Sequence, residues 1–407
     1  MMVDVVLKEG SVTAPKGFLA GAAKAGIKKA GRYDLAIVYS PTLAVMAGIF
    51  TTNKVKAASV LLSQAHLSAG GGQGRGVVFN SGYANACTGE QGKKDAAGMA
   101  KATAAALGCG EEEVLVASTG LIGACLPMEK VLAGVTEAAA NMSLAGGSLA
   151  AQAIMTTDTV PKEIGAEIEV AGHKVTFGAM AKGSGMIHPN MATLMCLVTT
   201  DCAIAPELLR EALTMAADAT FNMVTIDGDT STNDCLLALA NGMAGNPTLR
   251  DAGDPGYAAF VAGLTEVCRH LAQRIAKDGE GATKFLTVRV EGAKTERDAR
   301  LAAKAVAGSS LVKTAIYGED ANWGRIICAL GYSGADFDPN IVDMYLGELQ
   351  VMRQGQGVAF DEAAAKAYLS GDEIVALARF HQGEAAAVAW GCDLTNDYIA
   401  VNANYRS

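Results

Sequence analysis

The residues richest in chemistry lie in one stretch, KGSGMIHPNMATLMCLVTTD, Lys182 to Asp201. A glycine-rich turn containing Lys182, Gly183 and Gly185 comes first, followed by His188, Pro189 and Asn190. Met191, Ala192 and Thr193 then open directly into an apolar strand. A small residue followed by threonine at the mouth of a strand suits backbone self-cleavage. If a strained turn holds it there, the Thr193 hydroxyl attacks the Ala192 carbonyl and the acyl group moves from nitrogen to oxygen. Water then hydrolyses the ester, and Thr193 becomes the first residue of a new chain. That threonine carries its own base: a free α-amino group, with a pKa of about 7.7–8.0, can take and return the hydroxyl proton. No triad histidine is needed. From composition alone, however, a threonine at a strand start is as a rule only a strand residue.

Other chemistries find little support. GGQGRG, Gly71 to Gly76, lacks the Lys-Ser/Thr ending of a P-loop and the spacing of a dinucleotide fold, and it precedes a strand where a phosphate loop follows one. It reads as a turn. DGDTSTND, Asp227 to Asp234, resembles a calcium loop at its first and third positions. It then fails at Thr232 and Ala238, where that loop needs Gly and Glu. It reads as a hydrogen-bonded turn whose hydroxyls and carboxylates could support a site from behind. His66, His173, His188, His270 and His381 show no metal-binding spacing, and no G-x-S-x-G elbow occurs. Nine cysteines form no C-x-x-C pair, which points to a reducing compartment and no structural zinc. Cys196, Cys235 and Cys328 lie in apolar surroundings and read as small core residues.

The elements that must position Thr193 are partly visible. Strand-like runs are Arg75 to Phe79, Val114 to Ala117, Lys174 to Met180, Leu194 to Thr199, Phe285 to Val290, Met344 to Val351 and Asp397 to Val401. Helical spacing follows Pro127 (Val131, Leu132, Val135, Met142) and Pro206 (Leu209, Leu213, Ala217). A third helix runs from about Tyr257 to Ala276, with Gly279 as its stop. Strands and helices without strict βαβ alternation favour an α/β sandwich over a doubly wound sheet. Turn-rich stretches at Gly279 to Thr283 and Gly242 to Gly256 read as a domain boundary and a surface connection. A formal charge of -9 without a basic block disfavours nucleic acid and membrane surfaces as partners. Asp4, Lys8 and Glu9 stand where a signal peptide needs an apolar run, so the expectation is a soluble, cytoplasmic protein.

GMIHPNMATLMCLVTTD resembles the self-processing site of the ornithine acetyltransferase (ArgJ) family. So do, in the family's order, GYANACTGEQG, STGLIG, MTTDTVPK, DGDTSTND, DGEGATKF, IYGEDANWGRI and the terminal NDYIAVNANYRS. The resemblance spans almost the whole chain. It implies that Thr193 is the nucleophile and Ala192 its cleavage partner. It implies that Thr119 and Gly120 stabilise the oxyanion through a hydroxyl and a backbone N–H, and that Thr156, Lys182, Thr193, Glu280, Asn402 and Ser407 bind substrate. The chemistry fits a small amino acid, with Lys182 meeting an α-carboxylate, Glu280 an ammonium group, and the others offering hydrogen bonds.

The fold so implied is an αββα sandwich, residues 1–280, shared with self-cleaving aminopeptidases, and a smaller C-terminal α/β domain, residues 281–407. Cleavage would give chains 1–192 and 193–407, paired two and two in a heterotetramer. The activity implied is acetyl transfer from N-acetylornithine to glutamate by a ping-pong route, without metal or organic cofactor. Some members of the family also accept acetyl-CoA as donor, and no residue separates them from the rest. Two competing readings remain: a non-catalytic binding or structural protein that kept the fold, which predicts no self-cleavage although the Ala192-Thr193 motif is intact, and a self-cleaving amidase or aminopeptidase, in which water replaces glutamate. The amino-acid-binding set Lys182, Glu280, Asn402 and Ser407 argues against the latter.

Overall fold

The computed structural model describes residues 5–28, 31–188 and 194–403, which divide into two compact units. The first takes in the described residues of Met1–Gly183, Pro189–Asn222 and Thr230–Leu271. The second has Ser184–His188, Met223–Asp229 and the chain from Ala272 onward. The boundary expected after Glu280 thus falls inside the second unit. No composition shift marks the two short excursions.

Among the described residues the first unit has nine strands: β1 (Val6–Lys8), β2 (Leu19–Ala23), β3 (Leu35–Phe50), β4 (Gln73–Tyr83), β5 (Val114–Leu121), β6 (Lys162–Val170), β7 (His173–Lys182), β8 (Met195–Thr200) and β9 (Cys235–Ala240). Its helices are α1 (Ala58–Ala69), α2 (Gly89–Leu107), α3 (Met128–Ala140), α4 (Gly147–Ala153), α5 (Pro206–Ala219) and α6 (Tyr257–Lys277), the last running on into the second unit. The strands pair in the order β1-β6-β7-β8-β9-β3-β4-β5, with β2 beside β3.

One long strand turns this path into two layers. β3 spans 16 residues; its first half pairs with β2 and β4, its second with β9, and its register against β4 breaks between Tyr39 and Ala44. Alternation then decides what each face buries. Ala36, Val38, Val77, Phe79, Leu115 and Ala117 of one half share a core with Met180, Met195, Leu197, Cys235, Leu237 and Leu239 of the other. On the outer face, Leu35, Ile37, Val78, Val114 and Val116 pack against Met99 and Ala100 of α2 and Val131 and Val135 of α3. On the opposite outer face, Phe260 of α6 lies 5.2 Å from Phe177 of β7, and α5 covers β3 and β9. The result is the expected αββα sandwich. β4–β5 and β8–β9 are its parallel pairs, each joined by a helical crossover through α2 or α5.

In the second unit the strands are β10 (Phe285–Ala293), β11 (Asp343–Leu346), β12 (Leu349–Arg353), β13 (Gln356–Gly357), β14 (Glu373–Arg379) and β15 (Ala385–Cys392), in the order β13-β12-β11-β14-β10-β15. Its further helices are α7 (Glu296–Gly308), α8 (Ser310–Tyr317), α9 (Trp323–Gly331), α10 (Glu362–Leu369) and α11 (Asn396–Ala403). The buried alanine stripe of α7, Ala299, Ala302, Ala303 and Ala307, lies close against β10 and β15. The Thr295 side chain caps its start by accepting from Asp298 N.

Three sequence readings change here. Met344 to Val351 is a hairpin, turning at Gly347 with φ +58°. Asp397 to Val401 is helix, because the Thr395 hydroxyl accepts from Tyr398 N at 3.2 Å and caps a first turn. Cys328 is exposed: α9 buries Ile326, Ala329 and Leu330, which leaves Cys328 on its other side.

Candidate active site

In the first unit, Thr119 and Gly120 end β5 opposite Ser81 and Gly82 of β4. Thr119 is 4% exposed. Gly120 has φ +130°, and a Cβ there would stand 2.2 Å from the Gly82 carbonyl carbon and 2.6 Å from Tyr83 N. Only a glycine at position 120 allows these strand ends to approach so closely. Asn233 Nδ2 donates to Ser118 O at 2.9 Å and fixes the same strand end. Gly120→Ala is expected to lower the melting midpoint by several degrees. Thermal melts check this.

Lys182 ends β7, opposite Met195 in register, and is 9% exposed. Its charge faces Asp158, which is the hub of the region. Asp158 Oδ1 accepts from Lys162 Nζ and from Gly183 N, each at 2.7 Å, and Oδ2 accepts from Thr156 N at 3.0 Å. Burial alone would raise the pKa of this carboxyl; Lys182, Lys162 and the Gly183 N–H more than offset it and hold the pKa at about 2. Lys28 donates to Met155 O at 2.9 Å. Burial, then the Arg32 charge, lowers its pKa to about 8, against the pull of Asp34 and Asp158. Asp234 sits in the same region and behaves oppositely. Burial pushes its pKa well above the carboxylate range, Ser231 and Lys182 oppose that only in part, and among the described residues its Oδ2 has no hydrogen-bond partner. The Ser118 hydroxyl is likewise buried without one.

In the second unit, Glu280 is 8% exposed and accepts from Asn402 Nδ2 at 2.8 Å, while its own N donates to Ser184 O at 2.8 Å. A Cβ on Gly185 would stand 2.4 Å from the Glu280 carboxyl, so glycine there leaves room for the acid. His188 Nδ1 lies 2.9 Å from Thr225 Oγ1; burial, then the Lys304 charge, holds its pKa down at about 4, and the ring is neutral near pH 7.

The structure therefore joins Thr156 to Lys182 through Asp158 in the first unit, and Glu280 to Asn402 in the second. Ala192, Thr193 and Ser407 lie outside the described residues. The sequence reading missed Lys28, Asp158, Lys162 and Asp234 as members of the site. Asp158 stood inside the quoted MTTDTVPK stretch, but only its burial beside two lysines gives it a role. Among the described residues no three His, Cys, Asp or Glu side chains gather as a metal ion would require, and no helix is long and apolar enough to cross a membrane.

Comparison with known proteins gives a consistent picture. The model of the ArgJ family matches residues 19–407. The arginine biosynthesis bifunctional protein ArgJ of Symbiobacterium thermophilum is 58% identical over 400 residues, covering 98% of this chain and 99% of its own. The protein of the same name from Caldanaerobacter subterraneus is 50% identical over 403 residues, covering 98% and 99%. A crystal structure of the ornithine acetyltransferase of Mycobacterium tuberculosis with ornithine is 46% identical, covers 47% of this chain and 100% of that one, and has a TM-score of 0.42.

Proposed function

The chain belongs to the ArgJ family, and from that premise we propose that it is a glutamate N-acetyltransferase of arginine biosynthesis. It moves an acetyl group from N-acetylornithine to glutamate through an ester on Thr193. The observation that carries the amino-acid substrate is the charge around Lys182. Lys28, Lys162 and Lys182 converge on the Asp158 carboxylate, which they hold ionised, and burial pushes the pKa of the nearby Asp234 carboxyl well above the usual range. That surplus of positive charge in a low-dielectric setting favours an α-carboxylate. Glu280, steadied by Asn402, suits an ammonium group.

In this reading the chain first cuts itself. The Thr193 hydroxyl attacks the Ala192 carbonyl, the hydroxyl proton passes to the departing amide nitrogen, and water hydrolyses the ester. The amino group so formed then takes the hydroxyl proton as Thr193 attacks the acetyl carbonyl, and gives it to the departing nitrogen of ornithine. Thr119 and Gly120 donate to the oxyanion in both half-reactions. Glutamate enters as a free amine and takes the acetyl group from the ester. Acid–base work needs no imidazole, which agrees with a His188 already neutral at working pH. No metal or organic cofactor takes part, acetyl-CoA enters only as an alternative donor, and chains 1–192 and 193–407 stay together two and two.

The denatured mass of purified protein, before and after brief exposure to N-acetylornithine, tests this. The expected result is two chains, the second beginning at Thr193 and gaining one acetyl group that glutamate removes. A single chain that gains nothing sinks the reading, and an acetyl group lost to water at the same rate with or without glutamate favours the amidase.

A further inference from the structure

Four polar side chains of the first unit are sealed in its outer layer, each with an oxygen that finds no partner. They are Ser59 of α1, Asn80 of β4, Asp95 of α2 and Ser118 of β5, none more than 3% exposed. Among the described residues, Ser59 Oγ, Asn80 Oδ1, Asp95 Oδ2 and Ser118 Oγ make no hydrogen bond. The other polar atoms of the amide and the acid are engaged. Asn80 Nδ2 donates to Tyr83 O at 3.0 Å, and Asp95 Oδ1 accepts from Gln91 Nε2 at 2.7 Å. Burying an unpartnered oxygen is costly, and a charged one costs most.

The fold sets the four side by side. Asn80 and Ser118 are register partners in the parallel β4–β5 pair, so their side chains leave the same face about 5 Å apart. That face is the outer one, since Val78 and Val116, two residues earlier, pack against Met99 of α2. α1 runs antiparallel over β5: His66 Nδ1 lies 2.8 Å from Val114 O, and Ser63 Oγ donates to Val116 O at 2.7 Å. One further turn back along the helix, about 6 Å, matches two residues along the strand and brings Ser59 over Ser118. α2 is antiparallel as well, for a Cβ on Gly76 would stand 3.2 Å from Leu107 at its far end. Asp95, one turn before Met99, therefore stands level with Asn80. Asn85 ties the two helix starts together here, its Nδ2 donating to Gly92 O at 2.9 Å and its O accepting from Ala58 N at 2.9 Å.

We propose that Ser59, Asn80, Asp95 and Ser118 form a binding site for one alkali-metal cation, sodium or potassium. Charge decides between occupants. Asp95 makes no ion pair among the described residues: of the lysines beside it in α2, Lys93 pairs with Glu90 and Lys94 is exposed. Water would satisfy the hydrogen bonds but leave the carboxylate uncompensated in a low-dielectric layer. A divalent ion would leave a net positive charge there, and calcium draws on six to eight oxygens. A monovalent cation makes the cluster neutral, while the amide and the two hydroxyls turn lone pairs toward it. Such an ion needs no histidine, cysteine or second acid. It takes no part in acetyl transfer, and the inference stands independently of the function proposed above.

The test melts full-length protein, dialysed free of alkali salts, in equal concentrations of sodium, potassium and tetramethylammonium chloride. The last matches ionic strength but is too large to enter a close-packed layer. The midpoint should rise by several degrees in sodium or potassium and saturate with concentration, the larger rise marking the preferred ion. Asp95→Asn should abolish the difference between salts. In tetramethylammonium it should melt no lower than wild type, because no carboxylate is then stranded. Ser59→Ala should keep the response with a several-fold higher half-saturating concentration, and it keeps the test open if Asp95→Asn does not fold. Asp361→Asn, at the exposed cap of α10 in the second unit, should respond as wild type does. Equal midpoints in all three salts would mean that water alone fills the site, and would overturn the inference. So would a full response in Asp95→Asn, or a half-saturating concentration unmoved in Ser59→Ala.

Discussion

A chain carrying Thr193→Ala is expected to remain whole at 407 residues and to transfer no measurable acetyl group. The two losses have one cause. Without the hydroxyl there is no atom to attack the Ala192 carbonyl, so the α-amino group that serves as base is never released. Loss of a covalent nucleophile costs on the order of 10⁴–10⁶-fold in kcat, and here the base is lost with it. Thr193→Ser keeps the oxygen and the route to the amine, so it should cut and transfer, more slowly because the serine side chain is freer to rotate than the β-branched threonine. The pH dependence gives an independent check. The free amine must be unprotonated to act as base, so kcat/KM for N-acetylornithine, whose reacting nitrogen is an amide, should rise through about pH 7.7–8.0 and level off above it. His188, with its pKa held at about 4, adds no inflection in that range. Denatured mass and acetyl transfer to glutamate, measured across pH, check all three statements. An uncut Thr193→Ala chain that still transferred acetyl groups would remove Thr193 from the mechanism.

What the sequence revealed follows from how far apart the deciding residues lie. β8 and α5 were legible because their signals are local: an unbroken apolar run from Leu194, and Pro206 followed by Leu209 and Leu213 at helical spacing. β3 was not legible, since exposed Pro41, Thr42 and Leu43 interrupt its alternation midway, where the strand passes between layers. α11 was misread because Tyr398, Ile399 and Val401 favour strands, and one hydroxyl, that of Thr395, tips the balance by capping the turn. Lys182 could be given a binding role from the sequence only through the family resemblance. Its burial, the depressed pKa of Asp158 and the raised pKa of Asp234 arise where β7, β9 and the loop before β6 meet. The Asn233–Ser118 bond joins residues 115 positions apart. No spacing rule reaches such pairs; packing creates them.

That packing makes Asp158 the most consequential carboxylate of the first unit. Asp158→Asn is expected to destabilise the fold by about 3–5 kcal/mol, the typical result of removing one partner from a buried ion pair. The reasons are specific. Lys162 and Asp158 both have fully buried side chains, so water cannot replace the lost charge. The amide also has one acceptor oxygen for the three donors, Lys162 Nζ, Gly183 N and Thr156 N, that the carboxylate satisfies with two. Against a total stability of about 5–15 kcal/mol this is a large fraction, visible in denaturant melts. Asp158→Asn combined with Lys162→Met should recover part of the loss, since Lys162 is then no longer a stranded charge, although Lys182 still lacks the carboxylate it faces. The pH dependence has a definite sign. The folded pKa is depressed to about 2 from 3.8, so the stabilisation from Asp158 is fully present above the unfolded value and drains away as pH falls toward 2. The gap in stability between wild type and Asp158→Asn should therefore narrow between about pH 4 and pH 2. Asp234→Asn is the internal contrast. Burial pushes the pKa of its carboxyl well up, so an amide of the same shape should be tolerated at pH 7 far better than at Asp158. Equal losses at the two positions would mean that Asp234 is ionised beside Lys182, and the surplus of positive charge on which the carboxylate-binding role rests would be gone.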